Sequence, residues 1–127
     1  MNRTIALGLT LLAGVAIGAT AVGGLHAQGK PGAYAIVDIA EITDPDTFKT
    51  LLPKAGPAMA GSGGQFIIRT EKFTPSAGTP PKRFVVIGFD NMDKLKAWAD
   101  SPLQKEVDAI REKSTKSREF FVEAFTQ

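Results

Sequence analysis

Five side chains in this sequence stand where they could do chemistry: Arg69, Trp98, Arg111, Asp38 and Tyr34. Arg69 lies inside the apolar run Gln65–Lys72 (QFIIRTEK), on the face shared by Gln65 and Ile67 if the run alternates as a strand. A guanidinium enclosed on a sheet face requires a carboxylate, a phosphate or a stacked ring as partner. Arg69 therefore reads as an anchor for an anionic ligand, against an ion pair to Asp38 or Glu71 or an edge position in solvent. Trp98, the sole tryptophan, falls on the inward stripe of a helix, where it either walls a ligand pocket or fills the core. Arg111 follows Ile110 on the last helix and either reaches the rim of such a pocket, pairs with Asp108 or is simply exposed. Asp38 and Tyr34 are the candidates for moving protons. A carboxylate among apolar strand residues can serve as a general base, whereas a salt bridge to Arg69 or Arg83 would make it purely structural. Ser101 has no histidine to activate it, and helix capping accounts for it.

The amino-terminal end excludes further chemistry. Met1–Thr4 carries one positive charge, Ile5–Val22 is apolar and uncharged, and Gly23–Ala27 offers small residues ahead of Gln28. That is the layout of a secretory signal peptide. Cleavage after Ala27 would remove the only histidine, His26, from a chain that has no cysteine. Zinc sites built on Cys or His, thiol chemistry, haem on an axial histidine and Ser-His-Asp catalysis are then excluded, and no metal or cofactor is expected. The expected location is periplasmic or secreted, with no stable membrane insertion after cleavage. The alternative is an inner-membrane anchor through residues 5–22, which at 18 residues is short of the roughly 20 a spanning helix needs.

What remains is 100 residues, one domain (33–127) behind the Gly/Pro linker 28–32. Its net charge is near +1, and the basic residues Lys105, Arg111, Lys113, Lys116 and Arg118 alternate with Glu106, Asp108, Glu112 and Glu119. That is a solvated helix surface, with Glu112 and Lys116 as an i,i+4 pair, and not a nucleic-acid interface.

The elements that must position these side chains follow from periodicity. Ala33–Ile42, Gln65–Lys72, Arg83–Phe89 and Arg118–Phe125 read as strands. Asp44-Pro45 starts a helix carrying Phe48, Leu51, Leu52, Ala55 and Met59 on one face. Pro53 and Pro57 should kink or break it before the turn Gly61–Gly64. Asp90 or Asn91 caps a helix through Asp100, and Ser101-Pro102-Leu103-Gln104 starts another, with Gln104 reaching back as in a capping box. The order β-α-β-β-α-β predicts an α+β, ferredoxin-like sandwich, a four-stranded antiparallel sheet with its helices on one face.

Both faces of that sheet read as apolar. Ala35, Val37 and Ile39 oppose Tyr34, Ile36 and Ile42 on the first strand; Phe84 and Val86 oppose Val85, Ile87 and Phe89 on the third; Phe120 and Val122 oppose Phe121 and Phe125 on the last. Helices cover one side only, so the open side is expected to pack against a second copy, as a homodimer.

Ala33-Tyr34, Val37-Asp38-Ile39, Thr43-Asp44-Pro45, Gly63-Gly64-x-Phe66-Ile67-x-Arg69, Pro81-x-Arg83-x-Val85-Val86-Ile87-x-Phe89 and Ala97-Trp98-x-x-Ser101-Pro102, in that order, resemble the DUF1330 family. The resemblance spans Ala33 to Ala124. It implies a dimeric α/β barrel, in the group that also holds cofactor-free monooxygenases, muconolactone isomerases and haem-binding relatives of chlorite dismutase. The family has no assigned function. The chain departs from its pattern at Ala99, at Leu103-Gln104 and at Ser76-Ala77-Gly78.

The expectation is thus an exported homodimer that binds a small anionic or aromatic molecule, with or without cofactor-independent catalysis. Arg69, Trp98 and Arg111 would hold the ligand, and Asp38 or Tyr34 would handle protons. The competing expectation is a non-catalytic dimer module whose core is filled and whose Arg69 is paired to Asp38.

Overall fold

The computed structural model describes residues 30–125; the signal-peptide reading of residues 1–27 lies outside them. Strand β1 (Ala33–Ile42) leads through two short helices, α1 (Pro45–Lys49) and α2 (Leu52–Met59), to strand β2 (Gln65–Thr70). Strand β3 (Arg83–Phe89), helices α3 (Met92–Ala99) and α4 (Pro102–Ser114), and strand β4 (Thr115–Glu123) follow. All strand pairs are antiparallel, in the order β2-β3-β1-β4. This is the ferredoxin-like arrangement.

Local chemistry sets the boundaries. The Asp44 carboxylate accepts from the Thr47 backbone N–H at 3.1 Å and from its hydroxyl at 2.7 Å, ahead of Pro45 in the first turn. Pro53 opens α2 and Pro57 lies inside it, so the apolar stripe is carried on two segments. Asn91 caps α3 by accepting from Lys94 N at 2.9 Å. Ser101 caps α4 by accepting from Gln104 N at 3.3 Å, but the Gln104 side chain turns away and donates to Asp108 Oδ1 at 2.9 Å, so the reciprocal half of the capping box is not made.

Helix α4 runs into β4 with no intervening loop, and β4 begins at Thr115, three residues earlier than the sequence suggests. The Ser114 hydroxyl donates to the Ile110 carbonyl and the Thr115 hydroxyl to the Arg111 carbonyl, while the Ser114 carbonyl accepts from the Thr43 and Asp44 backbone N–H groups. Lys116 is consequently on the strand, where it pairs with Glu41 at 3.6 Å and not with Glu112.

Two β-bulges change which way side chains point. On β1 the register with β4 slips between Ile39 and Glu41, so Ile42 faces Thr115 and packs with Ile39, Phe48 and Val107 under the helices. The strict alternation that put Ile42 on the open face is corrected by this extra residue. On β2 the register with β3 slips between Phe66 and Ile68. Arg69 then stands opposite Val85, on the helix-facing side with Phe66, and does not share a face with Gln65.

The helix-facing side holds the core. Ala33, Ala35, Val85, Ile87 and Phe89 pack against Leu95 and Trp98, and a second cluster joins Ile39 to Phe48, Leu51 and Val107. The opposite side carries Tyr34, Ile36, Phe84, Val86, Ile68, Phe120 and Val122 by register. Of these, Ile68, Phe120 and Val122 are exposed.

Candidate functional site

Between the sheet and helices α1, α2 and α4 lies a cavity of about 370 Å³. That falls in the lower part of the roughly 300–1,000 Å³ typical of small-molecule pockets. Its floor is apolar, formed by Val37, Val85 and Ile87, and its roof includes Phe48, Leu51 and Ala55. Arg69, Trp98 and Arg111, three residues far apart in sequence, all line it.

Arg69 is exposed, on edge strand β2, with its guanidinium 4.5 Å above the Phe66 ring. Neither carboxylate considered for it is its partner. Glu71 binds Arg83 at 3.0 Å, and Asp38 binds Arg118 at 3.0 Å on the other side of the sheet. Stacking on a ring leaves the in-plane N–H donors of a guanidinium free to meet an anion.

Trp98 is 3% exposed and its ring lies 5.2 Å from that of Phe89, tilted by 38°. Its indole Nε1 is buried without a hydrogen-bond partner in the protein. Trp98 is therefore both a core residue and part of the cavity wall.

Arg111 is 7% exposed. Its terminal nitrogen donates to Glu119 Oε1 at 3.3 Å and lies 3.7 Å from Asp108, while its Nε, also buried, has no partner. A buried donor left unpaired costs about 1–3 kcal/mol. Trp98 and Arg111 thus each bury one unpaired donor within the wall of the cavity.

Glu119 is a residue that reading the sequence missed. It lines the cavity from β4, with its side chain 17% exposed. Burial pushes its carboxyl above the usual glutamate range, aided by the nearby Asp108 and Glu112, and the Arg111 guanidinium pulls partly the other way. The available signal was alternation with Phe121, which places Glu119 on the covered side of β4.

Asp38 and Tyr34 do not join this group. Tyr34 pairs in register with Gly88 and Val122, and Asp38 with Phe84 and Arg118, all on the sheet face away from the helices. The sheet separates both residues from the cavity. Among the described residues, no three His, Cys, Asp or Glu side chains cluster as a metal shell, and no helix is long and apolar enough to cross a membrane.

A family profile described as "Domain of unknown function (DUF1330)" matches residues 32–125. No curated protein sequence matches the chain. Solved structures share its fold. A Rhodopseudomonas palustris protein of unknown function is 12% identical, with a TM-score of 0.56 over 77% of this chain and 86% of that one. A dimeric ferredoxin-like protein of unknown function from Thermobifida fusca is 17% identical, with a TM-score of 0.54 over 76% and 93%. SnoaB, a cofactor-independent oxygenase from Streptomyces nogalater, is 12% identical, with a TM-score of 0.52 over 76% and 96%.

Proposed function

The chain belongs to the DUF1330 family, and from that premise we propose that its cavity binds a small organic anion with an apolar, aromatic body. The observation that carries this reading is the convergence of Arg69, Trp98 and Arg111 on one cavity with an aliphatic floor. Arg69 at the mouth takes the anionic group. Trp98 and the helix side chains enclose the body. The alternative module, with Arg69 tied to Asp38, lacks its central contact, since Arg118 holds Asp38.

The proposed protein is an exported homodimer. The apolar open face, with Ile68, Phe120 and Val122 exposed, supports pairing with a second copy. The similar Thermobifida protein is described as dimeric. The Streptomyces oxygenase, with the same fold and no cofactor, supports cofactor-independent turnover in this cavity as the activity to assay.

Calorimetric titration with cinnamate and benzoate tests the binding reading. The wild-type protein should bind at least one of them, and Arg69→Ala should weaken that affinity about tenfold or more, the worth of a charge-assisted hydrogen bond. Absence of binding, or equal binding by the variant, rejects it.

A further inference from the structure

Arg69 and Glu119 occupy one row of the sheet. Arg69 pairs with Val85 across β2 and β3, Val85 with Val37 across β3 and β1, and Val37 with Glu119 across β1 and β4. Residues directly opposite in an antiparallel sheet share a face, so all four side chains rise on the helix-facing side. All four also line the cavity. Three strand spacings of about 4.8 Å put the Cα atoms of the two charged residues roughly 14 Å apart. Along this row the cavity floor is two valines with a cation at one edge and a carboxylate at the other.

The two ends differ in what they can accept. Arg69 is exposed and forms no ion pair with a described carboxylate, so it suits an anion. At the far end, Arg111 is already shared between Asp108 and Glu119. A second anion there would face both carboxylates, with Glu112 beside them. A neutral hydroxyl meets no such repulsion, and it can donate to Glu119, whose side chain lines the cavity.

We propose that the ligand is two-ended: a planar aromatic acid whose carboxylate meets Arg69 and whose opposite end carries a hydroxyl that donates to Glu119. The inference rests on the binding reading above and specifies its substrate class. The raised proton affinity of Glu119 strengthens it as an acceptor. The aromatic body lies over Val85 and Val37, beneath Phe48 and Leu51 and beside Trp98.

The test compares cinnamate, para-hydroxycinnamate and para-methoxycinnamate by calorimetry at neutral pH, on wild-type protein and on Glu119→Met. The wild type should bind the hydroxylated acid about tenfold more tightly than either of the others, the worth of a hydrogen bond to a charged acceptor. Glu119→Met should reduce that preference to within about twofold while still binding cinnamate. The methoxy compound makes the comparison on unaltered protein, so the result stands even where the variant does not fold. Equal affinity for all three acids, with Arg69→Ala still impaired, overturns the two-ended ligand and leaves the anion site intact. No binding of any acid rejects both.

Discussion

Arg118 grips Asp38 across the open face of the sheet, with Nε and a terminal nitrogen donating to the same carboxylate oxygen at 3.1 and 3.0 Å. The pair joins β1 to β4, and the Arg118 side chain remains 74% exposed. An exposed pair of this kind contributes about 0–1 kcal/mol. Asp38→Asn should therefore lower stability by no more than about 1 kcal/mol in urea denaturation. It should leave cinnamate affinity unchanged, because the sheet lies between Asp38 and the cavity. A large loss of affinity would return Asp38 to the site.

Trp98 should behave as a packing residue whose polar atom is unused by the folded protein alone. Trp98→Ala should cost about 3–5 kcal/mol, as large aromatic truncations in cores do. Trp98→Phe should cost much less, because the indole nitrogen has no protein partner to lose. As the sole tryptophan, it should also report ligand entry by a change in fluorescence. Denaturation curves and a fluorescence titration check both statements.

Two carboxyls should respond to pH with opposite sign. Hydrogen bonds from the Thr47 hydroxyl and backbone N–H hold Asp44 below its ordinary value of 3.8. Its stabilising contribution is present above that pH and is lost as the pH falls through the lower, folded-state value. Glu119 is raised above 4.5, chiefly by burial, so the folded state keeps a proton that the unfolded chain releases. Stability then declines as pH rises from about 4.5 through the folded-state value. The stability of Glu119→Gln relative to wild type should accordingly increase across that interval, read from denaturation midpoints at a series of pH values. A flat difference would contradict the sign.

The open face offers a direct test of assembly. Phe120 and Val122 are exposed on β4, beside the half-buried Tyr34 and Ile36 of β1. Sedimentation of the wild-type domain at micromolar concentration should give a dimer. Phe120→Lys should shift it to monomer while keeping the far-ultraviolet circular dichroism of the fold, since a buried cation without a partner opposes association.

Much of the fold was legible because its signals are local. Strands Ala33–Ile42 and Arg83–Phe89 appear with the bounds read from alternation and flanking turns. The proline-broken first helix likewise follows from Pro45, Pro53 and Pro57. What escaped depends on register. A bulge changes no composition and no propensity, so the facing of Ile42 and Arg69 was invisible until partner strands were paired. Glu119 escaped for a related reason. The adjacent charges Arg118 and Glu119 at the head of an apolar run read as solvent exposure unless the covering helix is known. Arg111 and Trp98 were recoverable as inward positions, but their meeting with Arg69 required the whole sheet.

The extra residue in β2 carries a consequence for descent. Were Ile67 kept but paired regularly with Val86, the pleat beyond it would turn over, and Arg69 would emerge opposite Phe84 on the side away from the helices. The cavity would lose its cation although no site residue had mutated. Kindred sequences that carry this strand without its bulge would thus differ in ligand recognition, silently to any comparison that checks only whether an arginine is present.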